Sequence, residues 1–429
     1  MKKPVPILAA ISVGLAIASS CFPLLATTVA SLGSWSLVAI LGSGALAWLV
    51  SRAYAELAGI YPTAAGVRTY VAHAYGERRG LWLALLYLLL VVGLGASEAF
   101  ILSQVLHAIF PGLPPLPVCL GFVAACALAN VLGIELAGKL QALLAYGLVG
   151  GLFVLGLAAL PGGAPIAVAA PLGIGPLASG LAGAVFLFVG FEWVVSAVEE
   201  VDPGARALPR AMSWSLALLA GTYALLALAL RRLGNDALAS VTPHLALGAS
   251  LGRPGLYAAA ALSTAATITC FNGGILGSSR LCYALAREGV LPRPLATLST
   301  RFLTPWVAVV ATSALTGLGA LLLATTGAVR VPILAGAAIE CAVYAAVSLS
   351  FARLRERAPA RARPYLAPFG PGTARVLAVV FGALAIACVL GAGGLALPVA
   401  LALGGAASVT GLVASNAKRT PLRLEAAHA

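Results

Sequence analysis

The chain has 429 residues, 61% of them hydrophobic and 9% charged, with a formal net charge of +13 and a mean hydropathy of +1.03. A soluble domain carries roughly 25% charged residues, so there is too little polar surface here to coat a water-facing globule. Apolar runs near the ~20 residues that cross a bilayer recur throughout, which makes this an all-α polytopic membrane protein in contact with lipid, and the alternating ~10-residue segments of a β-barrel are absent.

Taken in order, the runs predict about twelve transmembrane spans: 6–30, 34–58, 81–109, 116–134, 138–160, 176–198, 211–232, 255–280, 304–326, 330–352, 373–394 and 396–416. The last two also suit a single re-entrant hairpin. Met1-Lys-Lys before the first run imitates a signal peptide, but that run continues the membrane pattern. With an internal amino terminus, 22 of the 26 Lys and Arg residues fall at or near the internal side; Arg231, Arg232, Arg253 and Arg330 are the exceptions. This is the bias of the positive-inside rule. It puts both termini in the cytoplasm of a cell membrane and accounts for the charge without a nucleic-acid partner.

The connections carry their own signals. Thr63–Gly80 places Val67, Tyr70, Val71 and Tyr75 at helical spacing among polar residues, which predicts a short interfacial helix. Arg231–Pro254 is the longest external connection and is long enough for a lid. Residues 353–371 form a basic, proline-rich cytoplasmic linker. The seven cysteines lie almost all within apolar runs, with no CxxC or Cys/His spacing, so neither a metal site nor a disulfide framework is indicated. No nucleophile–base pair appears that would support an enzyme.

Two spans are interrupted. In the first, Ala18-Ser-Ser-Cys-Phe22 puts small polar residues at mid-depth, and Pro23 removes a backbone donor and crowds the carbonyl of Ser19. In the sixth, Phe186-Leu-Phe-Val-Gly190 is followed by the ionisable Glu192, about 10 Å from the charged end at 1.5 Å per residue. Lipid cannot satisfy backbone groups released in either place. Disturbed helices in corresponding positions of two five-span halves point to a transporter with inverted repeats. The halves are then 6–160 and 176–352 of a single membrane domain, with the linker 353–371 and a helix pair at 373–416. Two further carboxylates, Glu98 and Glu340, lie inside spans with no basic residue near them on their own helix. Each is protonated, facing water or paired with another helix, and either coupling, substrate contact or structural hydrogen bonding fits.

Four motifs in order resemble the amino acid–polyamine–organocation superfamily of permeases. They are Phe188-Val-Gly-Phe-Glu192 with Glu199-Glu-Val-Asp-Pro203 and Leu208-Pro-Arg210; Tyr54-Ala-Glu56 with Tyr61-Pro-Thr-Ala-Ala-Gly66; Ser279-Arg-Leu-Cys-Tyr283 through Pro292; and Arg363-Pro-Tyr-Leu-Ala-Pro-Phe-Gly-Pro371. The resemblance implies a leucine-transporter-like fold, a 5+5 inverted repeat plus two helices, and secondary transport of amino acids or related amines. It implies that backbone amides at Ala18, Ser19, Ser20, Cys21 and Phe22 hold the substrate carboxylate, although Ala18 and Ser20 replace the family's glycines. It further implies that Phe186 closes over substrate, that Leu187, Phe188 and Val189 present carbonyls to the amine, and that Gly190 and Glu192 serve in the hinge and gate. The fifth-span lysine of some members is missing, since Gln141–Leu148 has none and Lys139 lies too near the cytoplasmic end. Proton coupling through Glu98 or Glu340 is therefore expected, with a sodium site at Ser263, Thr264 or Thr267 as the competitor and no other cofactor. The apolar residues at the break favour small apolar amino acids. An amine or polyamine carrier is the alternative, and a membrane sensor without transport the more distant one.

Overall fold

The computed structural model describes residues 5–63, 65–133, 138–161, 173–200 and 207–416. Among these residues the architecture is helical throughout. The sequence breaks its first span into α1 (Val5–Ala16) and α2 (Cys21–Leu32), followed by α3 (Ser36–Ile60), the short α4 (Gly66–Tyr75), α5 (Glu77–Ile109), α6 (Pro115–Val131) and α7 (Gly138–Ala159). The sixth span is broken in the same way, into α8 (Ile174–Phe186) and a 3₁₀ stretch, Phe191–Glu200. Then come α9 (Ala207–Leu230), two short helices α10 (Asn235–Ala239) and α11 (Pro243–Ala249), α12 (Gly252–Arg287), α13 (Trp306–Thr326), α14 (Arg330–Arg357), α15 (Pro371–Leu390) and α16 (Ala396–Asn416).

Ten described helical stretches are long and apolar enough to cross a membrane, the first of them running from α2 through α3; the shorter apolar helices α1 and α6 complete the set. Counting each broken helix once gives the twelve expected spans. Residues 373–394 and 396–416 hold two separate helices, α15 and α16, each long and apolar enough to cross a membrane. One continuous core runs through the bundle, from Leu8 and Val13 on α1 to Phe381 and Cys388 on α15. Large apolar residues left outward, such as Leu318 and Leu322 on α13 and Leu401 on α16, lie on the faces that lipid covers.

Two connections differ from their sequence reading. Helix α4 forms where its spacing predicts, but its polar side is also buried: Arg68 and Thr69 are as covered as Tyr70 and Val71. It packs against α5 and α14, and Arg68 pairs with Glu288 beyond α12 and with Glu77 at 3.7 Å. It is therefore a buried strut rather than a helix resting on the membrane surface. The linker 353–371 is likewise docked. Glu56 on α3 accepts from Arg355 at 2.8 and 3.1 Å, from Arg363 Nε at 3.0 Å and from the Ala367 amide at 2.8 Å. Arg361 lies over the Tyr61 ring at 4.6 Å. Tyr54-Ala-Glu56 and Arg363-Pro-Tyr, motifs over 300 residues apart in the chain, thus form one joint. The charged segment Glu199–Arg206, with Lys139 and Gln141, lies outside the residues whose side chains are described.

Candidate functional site

The two breaks meet. Gly190 adopts φ +102°, open to glycine but strained for other residues. A methyl group there would sit 2.8 Å from the Leu15 carbonyl oxygen and 3.2 Å from Ala16 Cα. The sixth-span break therefore lies directly on the end of α1, and the two half-helices close around one cavity of about 40 Å³. At 10–15 Å³ per water by the same measure, that is room for roughly three waters. Ala18, Ser20, Cys21, Phe186, Val189, Gly190 and Glu98 line it.

Several polar backbone groups released at the first break have partners among the described residues. The α1 carbonyls of Leu15 and Ala16 receive the thiols of Cys270 and Cys21 at 3.4 and 3.5 Å. The Cys21 and Phe22 amides turn back to the Ala18 and Ser19 carbonyls at 3.0 and 3.2 Å. The Ser19 and Ser20 amides reach across to α5: Ser19 N–H donates to Glu98 Oε2 and Ser20 N–H to Glu98 Oε1, each at 2.8 Å. Glu98 is buried, and its carboxyl group faces the positive end of the α2 dipole. A carboxylate gripped by two amides at a helix start is the arrangement expected for a substrate's carboxylate, and here a side chain of the protein provides it.

Ser19 is pinned on its other side. Its hydroxyl lies 2.9 Å from the Ser263 carbonyl, 2.8 Å from Ser263 Oγ and 2.7 Å from Thr267 Oγ1 on α12, and Thr267 Oγ1 lies 3.3 Å from Glu98 Oε2. Ser263 and Thr267, one helical turn apart, therefore face the break, while Thr264 is half-buried on another face. These oxygens are engaged with one another and with Ser19.

Glu192 lies in the first turn of the half-helix after the second break and is buried. It accepts from Tyr87 on α5 at 3.0 Å, from Tyr344 on α14 at 2.8 Å and from the Gly190 amide at 3.2 Å. Glu340 stands one turn before Tyr344, fully buried and within electrostatic reach of Glu192. Neither oxygen of Glu340 has a hydrogen-bond partner among the described residues. Glu192 and Glu340 form one acidic cluster, whereas Glu98 serves the first break.

Not every expected residue lines the cavity. Leu187 and Phe188 are buried elsewhere, with the Phe188 ring edge-on to Tyr223 at 6.2 Å. Phe22 packs against His244 of α11, the ring centroids 4.3 Å apart and tilted by 32°. Conversely, Val91, Trp193, Phe271 and Ile275 line the cavity, and Tyr87 and Tyr344 hold Glu192. Sequence reasoning passed over all six, because aromatic and branched residues in an apolar span read as packing. Glu340 and Tyr344 at i, i+4 are one available signal, a carboxylate and a phenol on one helix face.

Similarity to known proteins agrees with this geometry. The family model described as amino acid permease matches residues 8–408. The gamma-aminobutyric acid permease of Escherichia coli strain K12 is 26% identical over 318 residues, covering 70% of this chain and 68% of that one. The aromatic amino acid transport protein AroP of Corynebacterium glutamicum is 26% identical over 311 residues, covering 67% and 66%. Among solved structures, the manganese transporter of Eremococcus coleocola aligns with a TM-score of 0.60 at 15% identity, covering 96% of this chain and 94% of that one. That likeness shows the fold, which is the leucine-transporter-like one. The family and these relatives are transporters rather than enzymes, and the chain belongs to the amino acid permease family of the amino acid–polyamine–organocation superfamily.

Proposed function

We propose that the protein carries small apolar amino acids across the plasma membrane by alternating access, coupled to protons, with both termini cytoplasmic. One observation carries the reading: the two broken helices close around a single small cavity with a carboxylate-binding amide pair at its edge. The Ser19 and Ser20 amides suit the substrate's carboxylate. The α1 carbonyls of Leu15 and Ala16, held by weak thiol donors, suit its ammonium group. Val91, Val189, Phe271 and Ile275 offer apolar contact and leave no cation for an acidic side chain. Phe186 closes the cavity, and Glu192 with Tyr87 and Tyr344 forms the gate below it.

Protons are the favoured coupling ion, because the hydroxyls of Ser263 and Thr267 are spent on Ser19 while Glu98 sits in the path of the substrate. The purified protein in liposomes should accumulate alanine, valine or leucine when a proton gradient is imposed and not when a sodium gradient is. Movement of none of these under either gradient overturns the proposal, and sodium-driven uptake overturns its coupling ion. Effective competition by diamines would favour the amine reading instead, with Glu98, Glu192 and Glu340 as its ammonium partners.

A further inference from the structure

The Ser19 and Ser20 amides are adjacent donors that the first break offers to an anion, and each N–H donates once. Both are engaged by Glu98, one oxygen to each amide, and Ser19 is fixed from behind by its bonds to α12. Glu98 also lines the cavity. Among the described residues no lysine or arginine lines that cavity, so none of them neutralises a second carboxylate placed beside the first.

We propose that Glu98 is a tethered stand-in for the substrate's own carboxylate: the same amide pair holds Glu98 between transport cycles and the substrate carboxylate during them. The inference rests on the permease reading above and specifies how that site couples to protons. A substrate carboxylate reaching the amides expels Glu98 into surroundings that supply neither a cation nor those two N–H groups. There the side chain is accommodated as the neutral acid. It takes one proton from water in the cavity, and its new O–H turns to a neighbouring oxygen such as Thr267 Oγ1. When the substrate leaves, Glu98 gives the proton back to water and returns to the amides. The exchange balances at one proton taken up per carboxylate bound. It couples the two without a lysine, and it keeps the amides satisfied at both ends of the cycle, as buried backbone donors require.

The proposal separates amino acids from the amines that lack only the carboxylate. Alanine, valine and leucine should displace Glu98, whereas ethylamine, isobutylamine and isoamylamine should leave it in place. The test uses the purified full-length protein in weakly buffered detergent with a pH-sensitive dye. Each amino acid bound should remove close to one proton from solution, and each amine bound should remove none. Amino acid affinity should fall up to tenfold for each unit of rising pH. In Glu98→Gln, whose neutral amide leaves without taking a proton, that dependence should flatten. Amino acid binding with no proton uptake by the unaltered protein overturns the proposal alone, and so does an unchanged pH slope in Glu98→Gln. If that variant does not fold, the proton count on the unaltered protein decides. Binding of no amino acid at all overturns the permease reading and this proposal together.

Discussion

Gly190 and Glu340 show how much a single position decides in this bundle. Gly190 combines a positive φ with contact against the end of α1, so Gly190→Ala adds backbone strain of about 1–3 kcal/mol and pushes a methyl group into the Leu15 carbonyl. Initial transport rates should fall at least tenfold and the melting temperature by several degrees; a variant with ordinary transport and stability would show that the half-helices need not touch. Glu340 makes the opposite case. A buried carboxyl without a hydrogen bond costs about 1–3 kcal/mol, and methionine fills a similar volume without a polar group. Glu340→Met should therefore raise the melting temperature while slowing transport, because Glu192 loses its acidic neighbour. A fall in stability would mean that Glu340 is held by a partner. Gly190, Glu192, Glu98 and Glu340 stood out in the sequence because hydrocarbon does not tolerate them without a reason. What each carboxylate touches was not legible. Glu98 lies 79 residues from Ser19, and nothing in either local pattern names the other.

At the scale of elements, the connection Arg231–Pro254, long enough for a lid, holds the short helices α10 and α11. His244 on α11 is buried against Phe22, and neither ring nitrogen has a partner among the described residues. Burial pushes its imidazole down from the usual 6.5 to about 3. Charged residues stand on neighbouring elements, Arg231 and Arg232 after α9, Asp236 on α10 and Arg253 on α12, but burial is the cause of the shift. Because docking of α11 holds this ring neutral, an undocked α11 binds more protons between pH 6.5 and 3. Docking is therefore fully stable above about 6.5 and loses about 1.4 kcal/mol for each unit of pH below it. Amide exchange across Pro243–Ala249, corrected for intrinsic rates, should show roughly thirtyfold less protection at pH 5 than at pH 7.5. His244→Phe keeps the packed ring and should remove the difference, and equal protection at both pH values in the unaltered protein would sink the idea. The sequence pointed to a lid by loop length alone, since helices of five and seven residues are too short to show periodicity. For α4 the periodicity was right, but its tertiary neighbours were hidden, and they bury the polar side as well.

For the whole molecule, twelve spans and both helix breaks were readable because hydrocarbon imposes length and backbone satisfaction on every crossing. The pairing of helices was not, and it makes the site: α5 supplies Glu98 to one break and Tyr87 to the other. Orientation rests on charge. Arg353, Arg355, Arg357, Arg361 and Arg363 fall within eleven residues, and three of them are tied to the end of α3 through Glu56 and Tyr61. Carrying that cluster across the membrane would cost far more than carrying the loop of Asp236. Ala360 and Asp236 are both exposed and on opposite sides of this scheme. In intact cells a membrane-impermeant maleimide should label Asp236→Cys at once, and should label Ala360→Cys only after the membrane is permeabilised. The native cysteines are buried or half-buried, so the unaltered protein sets the background. Labelling of Ala360→Cys in intact cells would invert the orientation, reversing which gate opens to which side while leaving the joined breaks and their shared cavity as they are.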